Sequence, residues 1–441
     1  MRLEVFHAAD GDCLLLTSAD GHHMLVDGGR AGTFVDNCQP RLQELRRAKE
    51  AIDLVLVSHT DADHITGILR LLRDVGDWIV FEHQRSASGG NPTFPEPKVP
   101  RPPEIKALWH NSWDERVGDL EGPIAALAVQ VAEATALATE AVTAASASTQ
   151  LALAELSGLA ESIADGVQLS RLIEERTPLK RNKGFKDHLV LLRERPHRRR
   201  LGSMRLSVIG PTERHLRDFR DEWREWFEER GVSVARGRGE NRPTETGHAG
   251  GGESLALGGR PPASLDEAAR IIDQVGARHV TTPNRASITV LAEERGRSVL
   301  LTGDAAEEEL VDGLTAIGKL HKDRVQAAFH CTVLKVQHHG ASHNLSTHFT
   351  ERVIADHYVF SGDGAHDNPE PSVIATIAET RPRDAGPYTM WFTSSESRPS
   401  TASRRASMAA ALKEARDAAT RDDNLTVRVL PDGEPSLVID V

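Results

Sequence analysis

One short run of the sequence, residues 58–64, holds four side chains that could bind metal. They are His59, Asp61, Asp63 and His64. Imidazole nitrogens and carboxylate oxygens are usual protein ligands of zinc and related divalent ions. The run follows the apolar stretch 52–57, which predicts a strand, and a helix is expected to begin near residue 65. A strand, a short loop and a helix would turn these side chains toward one point, so the spacing His-x-Asp-x-Asp-His predicts a metal-hydrolase loop.

Three other segments predict strands that end in ligand-type residues: 24–29, 298–304 and 334–340. Their terminal polar residues are Asp27, Asp304, His338 and His339. A carboxylate at a strand end could bridge a pair of metal ions. The competing interpretation is a solvated polar turn, because a chain with 20 histidines and 65 acidic residues brings some together by chance. The ordered recurrence of the other pieces favours a site at one sheet edge.

The order Asp-Gly-Gly, His-x-Asp-x-Asp-His, Thr-Gly-Asp, His-His-Gly resembles the metallo-β-lactamase fold superfamily. Asp61 stands where most members carry a second histidine, and this exchange is similar to the soluble hydrolase domain of the ComEC/Rec2 competence proteins and their freestanding relatives. Matches at 11–16, 284–288 and 334–342 add to this resemblance. It covers roughly residues 1–85 and 205–395. It implies an α/β fold, the four-layer αββα sandwich of the superfamily, here with a helical insertion.

With that fold implied, each ligand-type residue receives a role. The expected metal ligands are His59 and Asp61 for one ion, Asp63 and His64 for a second, Asp304 as the bridge, and His338 or His339. Successive residues of a strand point to opposite faces, so only one histidine of the pair is expected to bind, with His339 favoured. Asp63 is also the candidate catalytic base. Asp27 is expected to order the metal loop without binding metal.

Groups suited to an anionic substrate lie on the predicted strand 334–340 and in the loops after it. Lys335, Ser342 and Asn344 are predicted to bind substrate. His343 and His366 are predicted to be catalytic, through substrate contact or proton donation, and the alternative for both is an exposed surface loop.

The resemblance also implies a departure, because many members carry a third histidine on the strand before the Gly-Asp strand. We take that strand to be residues 206–212, where Gly210 stands in place of an imidazole. Fewer nitrogen ligands shift preference from zinc toward ions that favour oxygen. The expected cofactors are therefore two divalent ions, manganese before zinc, with magnesium as a further candidate.

Composition narrows the cellular setting. No stretch approaches the roughly 18 apolar residues of a membrane span, and no signal peptide is recognisable, so we expect a cytoplasmic protein without a membrane partner. The three cysteines, Cys13, Cys38 and Cys331, are too widely spaced for a disulfide pattern and predict buried thiols. The formal charge of −12 argues against binding of nucleic acid by the whole surface.

The chain is expected to divide into three parts: residues 1–85, the first half of the fold; 86–205, a mostly helical insertion with a Pro-rich linker; and 206–441, the second half. A Gly-rich stretch, about 231–262, predicts a flexible loop. The alanine-rich residues 124–175 predict two helices, which could pack within the molecule or contact a protein partner. Two apolar runs, 426–430 and 436–440, predict a terminal hairpin.

One local feature departs from the acidic average. Residues 180–200 are densely basic, which fits either a solvated segment or a nucleic-acid footprint.

The leading hypothesis is a metal-dependent phosphodiesterase or nuclease acting on DNA, because the ComEC/Rec2 domain is proposed to degrade one strand of incoming DNA. Freestanding relatives with added helical segments are found in bacterial antiviral defence, which makes an effector nuclease one expected role. The alternatives are a hydrolase of a small phosphodiester, phosphocholine ester or lactone, and a scaffold protein with a weak site.

Overall fold

Two β-sheets stand at the centre of the fold. The computed structural model describes residues 1–112, 120, 162, 164–194, 196–229, 286–321 and 328–441. The strands are β1 (Arg2–Phe6), β2 (Leu14–Thr17), β3 (His23–Val26), β4 (Ile52–Leu56), β5 (Leu108–Trp109), β6 (Arg198–Leu201), β7 (Met204–Gly210), β8 (Thr289–Glu294), β9 (Arg297–Leu301), β10 (Phe329–Lys335), β11 (Val353–Phe360), β12 (Tyr388–Phe392), β13 (Leu425–Val429) and β14 (Ser436–Asp440). One sheet has the order β14-β1-β2-β3-β4-β5, and the other β13-β12-β11-β10-β9-β8-β7-β6.

Helices cover the outer face of each sheet. The longer helices within the described ranges are α1 (Gln39–Ala48), α2 (Ala62–Arg85), α3 (Glu213–Glu229), α4 (Glu307–Ala316), α5 (Pro371–Thr380) and α6 (Ala402–Arg421). Apolar residues of α1 and α2 pack on the six-stranded sheet, and those of α4, α5 and α6 pack on the eight-stranded sheet. A third apolar cluster lies between the sheets, with Leu54, Leu56, Val299 and Val333 among its members. The predicted four-layer αββα sandwich is therefore confirmed.

Parallel pairing explains why the central strands of the larger sheet are largely apolar. Strands β9, β10, β11 and β12 are joined in parallel, and β10 packs on the other sheet with one face and on helices with the opposite face. Strands buried on both faces read as near-continuous apolar runs. In β10, all residues from Cys331 to Lys335 are buried.

The predicted terminal hairpin is wrong. Both of its strands exist, but β13 pairs in parallel with β12 of the larger sheet, whereas β14 pairs antiparallel with β1 of the smaller sheet. The turn near Gly433 therefore carries the chain from one sheet to the other. A turn signal between two apolar runs shows where strands begin and end, but their partners are decided by the layers they complete.

The range predicted as an insertion contributes to both sheets. Strand β5 pairs with β4, and β6 pairs with β7. Residues 91–103 are largely irregular and 164–176 are helical. The alanine-rich residues 124–161 and the Gly-rich residues 231–262 lie outside the described ranges, so their predicted structures and the three domain boundaries stay predictions.

The helices and the cysteines bear on two expectations drawn from composition. Within the described ranges, none of the helices combines the length and apolar character needed to cross a membrane. Cys13, Cys38 and Cys331 are all buried and free of disulfides. Burial raises the pKa of the Cys331 thiol.

A close backbone crossing fixes the helix that carries part of the predicted metal loop. Helix α2 begins at Ala62, earlier than expected, so its first turn carries two of the predicted ligands. The turn after β3 lies directly against this helix: the Gly28 N–H donates to the His64 carbonyl at 2.7 Å, and the Gly67 N–H donates to the Gly29 carbonyl at 2.9 Å. A Cβ on Gly67 would lie 2.0 Å from the Gly28 oxygen, so this approach requires glycine.

We predict that Gly67→Ala destabilises the protein by about 1–3 kcal/mol or more, as is usual for overpacked interiors. The added methyl group must push α2 away from the turn after β3. Chemical denaturation monitored by circular dichroism measures the effect. Gly32→Ala is the matched control, because a Cβ there meets nothing within 4 Å. Equal stability of the two variants would contradict the crossing.

Candidate metal centre

Side chains from both sheets meet at one end of the sandwich. The loop after β4 and the first turn of α2 supply His59, Asp61, Asp63 and His64, the turn after β9 supplies Asp304, and the turn after β10 supplies His338 and His339. All seven predicted metal ligands therefore come together. His59, His64 and Asp304 are buried, whereas Asp61, Asp63 and His338 each keep 21% of the side chain exposed, which defines the open side of the centre.

Asp304 is at the middle of this group. Its Oδ2 lies 3.4 Å from Nε2 of His64, 3.6 Å from Nε2 of His339, and 3.7 Å from Nε2 of both His59 and His338. Two donor atoms bound at about 2.1 Å to one tetrahedral ion are about 3.4 Å apart. The separations around Asp304 are thus those of atoms that could share a metal.

Two further carboxylates divide the centre into two sets that share Asp304. Asp63 Oδ2 lies 3.2 Å from His339 Nε2 and 3.6 Å from His64 Nε2. Asp61 Oδ2 lies 3.6 Å from His59 Nε2. One set therefore contains Asp61 and His59, and the other contains Asp63, His64 and His339.

Unsatisfied polar atoms support the fit to a cation. His59 Nε2, Asp61 Oδ1 and Asp304 Oδ1 are buried and lack a hydrogen-bond partner among the residues described. Leaving such an atom unpaired costs about 1–3 kcal/mol, more when it is charged. The Nε2 atoms of His64 and His339 also face each other at 3.3 Å. Divalent cations bound to the two sets would use the lone pairs of these imidazoles and carboxylates, so the donor set fits a metal.

The backs of two imidazoles are held by carboxylates. Asp27 Oδ2 lies 3.0 Å from His64 Nδ1. The same Asp27 carboxylate accepts hydrogen bonds from the N–H and the hydroxyl of Ser58, both at 2.7 Å. With Nδ1 as the donor to Asp27, the Nε2 lone pair of His64 is free for a metal, the arrangement in which outer carboxylates orient metal-binding histidines.

Asp12 does the same for His339, and sequence reasoning gave it no role. Asp12 belongs to a group of four buried residues whose ligand-type atoms lie within 4.8 Å of one another and could hold an ion. The group is Asp12, His64, Asp304 and His339. However, Asp12 lies on the Nδ1 side of both rings, 3.4 Å from His339 Nδ1 and 3.9 Å from His64 Nδ1. An ion at the Nε2 atoms is therefore better matched by Asp63 than by Asp12. The sequence feature that could have indicated this role is the Gly11-Asp12 turn, which places an aspartate just before the apolar strand β2.

Lys335 is not where a substrate ligand was expected. Its side chain is buried, with Nζ 2.5 Å from Asp12 Oδ2 and 3.8 Å from Asp304 Oδ1. Ser361 also donates a hydrogen bond to Asp12. The lysine charge is thus paired inside the protein and compensates the carboxylates around the centre. The role that this geometry supports is positioning of Asp12 and Asp304.

The expectation that only one histidine of the pair points to the centre rested on a wrong premise. Strand β10 ends at Lys335, and His338 and His339 lie in a turn with φ of 46° and 55°. Alternation of strand faces does not apply in such a left-handed turn, so both rings reach Asp304.

The strand predicted to come directly before the Gly-Asp strand was also wrong. That strand, β7, is separated from β9 by β8. Gly210, where an imidazole was looked for, packs against β8: a Cβ at this position would lie 2.6 Å from Thr289 Oγ1, so a larger residue would displace Thr289.

The remaining predicted residues fall into two groups. Asn344 is buried, with Oδ1 2.7 Å from His338 Nδ1 and Nδ2 donating to the Asp304 carbonyl at 3.0 Å, so it orients ligands. Ser342 and His343 are exposed, and the ring of His343 lies 5.0 Å from that of His338, at the open side. His366 is exposed in another turn, and no contact joins it to the ligands in the part of the chain described.

Charges in the cluster stabilise one another. Burial alone would lower the pKa of His64, but Asp304 and Asp63 outweigh it and raise that pKa well above its ordinary value. His339 shows the same net rise in pKa, against burial, chiefly because of Asp304. Burial would raise the pKa of Asp304, but the adjacent imidazoles hold it well below its usual range. For His338 burial prevails and lowers the pKa.

Residues 9–128 match the family model of the metallo-beta-lactamase superfamily. The matched range contains Asp12, Asp27 and the loop 58–64. No curated protein gave a significant match to the chain. Members of this superfamily are generally metal-dependent hydrolases, and the buried cluster of aspartates and histidines fits a metal site in such an enzyme.

We predict that Asp27→Asn lowers metal affinity by about 10–100-fold, as expected when the carboxylate behind a metal-binding imidazole is lost. Competition with a chromophoric chelator measures the affinity. Asp356→Asn is the control, because Asp356 pairs with His330 at 2.7 Å on the surface. Unchanged affinity in a folded Asp27→Asn protein would rule out the assigned role.

Metal binding at pH 7 should also release protons. In the metal-free protein the neighbouring carboxylates raise the pKa of His64 and of His339, which favours the protonated rings, and a ring protonated at Nε2 must lose that proton to bind an ion. The apparent affinity should therefore rise with pH until the raised pKa values are passed. Calorimetric titrations in buffers of different ionisation enthalpy measure this release, and a buffer-independent heat would contradict it.

Proposed function

We propose that this protein is a metal-dependent phosphodiesterase that acts as a nuclease on DNA. The observation that carries the proposal is the convergence of four imidazole nitrogens on Asp304 Oδ2, within 3.4–3.7 Å, beside two partly exposed aspartates. Two divalent ions bound there would stabilise the negative charge on a phosphoryl group and activate water for its attack. The finer relationship, to the ComEC/Rec2 branch, rests on Asp61 in place of a histidine.

The chain supplies positioning and proton transfer at the open side of the centre. Asp63 is partly exposed and so can accept a proton from water as a general base. His343 lies exposed beside His338, where it can contact the anionic substrate or donate a proton to the leaving oxygen. His366 keeps its predicted catalytic role as a weaker part of the proposal. Ser342 is exposed next to His343 and can contact a phosphate.

Either manganese or zinc suits the proposed site. The centre contains one more imidazole than the sequence predicted, because His338 and His339 both point inward. Imidazole is a good ligand for zinc and for copper, iron and nickel. Three carboxylates favour manganese. Magnesium keeps its water ligands and prefers oxygen, so we expect it to support the least activity.

The experiment removes bound metal, restores manganese, zinc or magnesium separately, and follows cleavage of single-stranded DNA, duplex DNA, RNA and bis(p-nitrophenyl) phosphate. We expect manganese or zinc to restore cleavage of DNA. Asp304→Asn should lower the rate by at least about 100-fold, because loss of a ligand exceeds the 10–100-fold cost of losing an outer partner. Asp312→Asn, an exposed residue at the surface of α4, is the control and should retain full activity.

Three results would contradict the proposal. Cleavage of the small diester without cleavage of any nucleic acid would favour the small-substrate hydrolase. No cleavage by a fully metal-loaded protein would favour the scaffold. Cleavage that survives Asp304→Asn would place the active centre elsewhere.

A cytoplasmic role in bacterial antiviral defence is part of the proposal and depends on the nuclease activity. Freestanding relatives with helical insertions support it. A protein partner at that insertion stays a prediction, because most of the residues concerned lie outside the described ranges.

A further inference from the structure

Cations are concentrated at one edge of the eight-stranded sheet. The edge strand β6 consists of three arginines and a leucine, and among the described strands it pairs with β7 alone. Arg198 and Arg200 are exposed, and Arg199 is half-buried beneath them. We call these three residues with Phe185 and His197 the basic edge.

The arginines of the basic edge differ from other cations in the described part of the chain. Among the described residues, no carboxylate lies within ion-pair distance of Arg198, Arg199 or Arg200, although the chain as a whole carries a formal charge of −12. Neighbouring cations differ: Arg193 pairs with Glu213 and Arg205 with Glu293. Three adjacent arginines that form no ion pair within the described ranges of an acidic protein offer a local site for an anion.

Aromatic rings lie beside Arg199, the half-buried arginine of the basic edge. The guanidinium of Arg199 is 5.7 Å from the centroid of the Trp109 ring. Phe185 packs edge-on against Trp109 at 5.0 Å, and its ring is 3.9 Å from that of His197. Trp109 is buried, but Phe185 and His197 remain partly exposed. Proteins bind single-stranded nucleic acids with partly exposed rings that stack on bases and nearby cations that contact phosphates, and this edge supplies both.

Strand register gives the distance from the basic edge to the metal centre. Arg198 pairs with Ser207, which lies level with Leu291 and then with Leu300 across three strand spacings. Those spacings amount to about 14 Å, and the four residues from Leu300 to Asp304 add about 13 Å along the strand. The basic edge is therefore roughly 20 Å from the centre. A substrate that contacts both must be a strand of several nucleotides.

We propose that the basic edge binds the backbone and bases of a single-stranded nucleic acid whose scissile phosphate lies at the metal centre. This inference rests on the proposed function and specifies its substrate as a single strand rather than a small diester. The exposed arginines on the outer face contact phosphates, and the rings at the rim receive bases. The edge holds substrate at a distance and takes no part in the chemical step.

The test compares two charge-reversed proteins of full length. One carries Arg198→Glu and Arg200→Glu. The matched control carries Arg383→Glu and Arg428→Glu, two exposed arginines near the opposite edge of the same sheet that also lack an ion pair in the structure described. Fluorescence anisotropy with chelator present measures binding of an oligothymidylate of about 16 nucleotides, the upper range for single-strand binding folds.

We expect the edge variant to bind about tenfold more weakly at low salt, with the slope of log affinity against log salt reduced by about 1.4, since each phosphate contact contributes about 0.7. The control should bind like the parent. Hydrolysis of bis(p-nitrophenyl) phosphate should be the same in all three proteins, because that diester cannot span from the centre to β6. Arg198→Gln with Arg200→Gln gives the same test if charge reversal prevents folding.

Equal binding and equal salt slopes in the edge variant and the control would overturn the inference while leaving the proposed hydrolase intact. Binding of phosphatidylserine vesicles without binding of the oligonucleotide would overturn it in favour of a membrane surface. Failure of every metal-loaded protein to hydrolyse a phosphodiester would instead refute the proposed function, whatever the binding result.

Discussion

Buried charge is the constraint on which the rest of this structure depends. Asp12, Asp27 and Asp304 are withdrawn from water within one end of the sandwich, and each must be matched by a cation or a hydrogen-bond donor. Lys335 matches Asp12, and His64 lies between Asp27 and Asp304. Removal of one member of such a buried pair typically costs about 3–5 kcal/mol. The surrounding loops are therefore held to one arrangement, with the partly exposed Asp61 and Asp63 at its open side.

Much of this arrangement could be predicted because strand ends carry strong local signals. The apolar runs before His59, before Gly303 and before His338 are visible in the sequence. Parallel pairing brings the ends of β9 and β10 together in one sheet and the ends of β3 and β4 together in the other, and the packing of the two sheets then joins them. The same logic predicts the layers, since strands buried on both faces need helices on one side and a second sheet on the other.

Other features depended on contacts between residues distant in the chain. Nothing near Asp12 shows that Lys335, more than three hundred residues later, will neutralise it. His338 and His339 adopt a left-handed backbone that residues other than glycine rarely adopt. The sequence did not indicate it at these two positions, so the predicted strand extended too far. Strands β13 and β14 are adjacent in sequence, yet the layers they complete place them in different sheets.

The ligands of the candidate centre are divided between the two sheets. His59, Asp61, Asp63 and His64 follow β4 of the six-stranded sheet, whereas Asp304, His338 and His339 follow strands of the eight-stranded sheet. An ion bound to both groups would be a non-covalent cross-link across the layer of apolar side chains between the sheets. Exchange of that ion would then be coupled to slight separation of the two halves, and the rate of metal loss would report how readily the sandwich opens at this end.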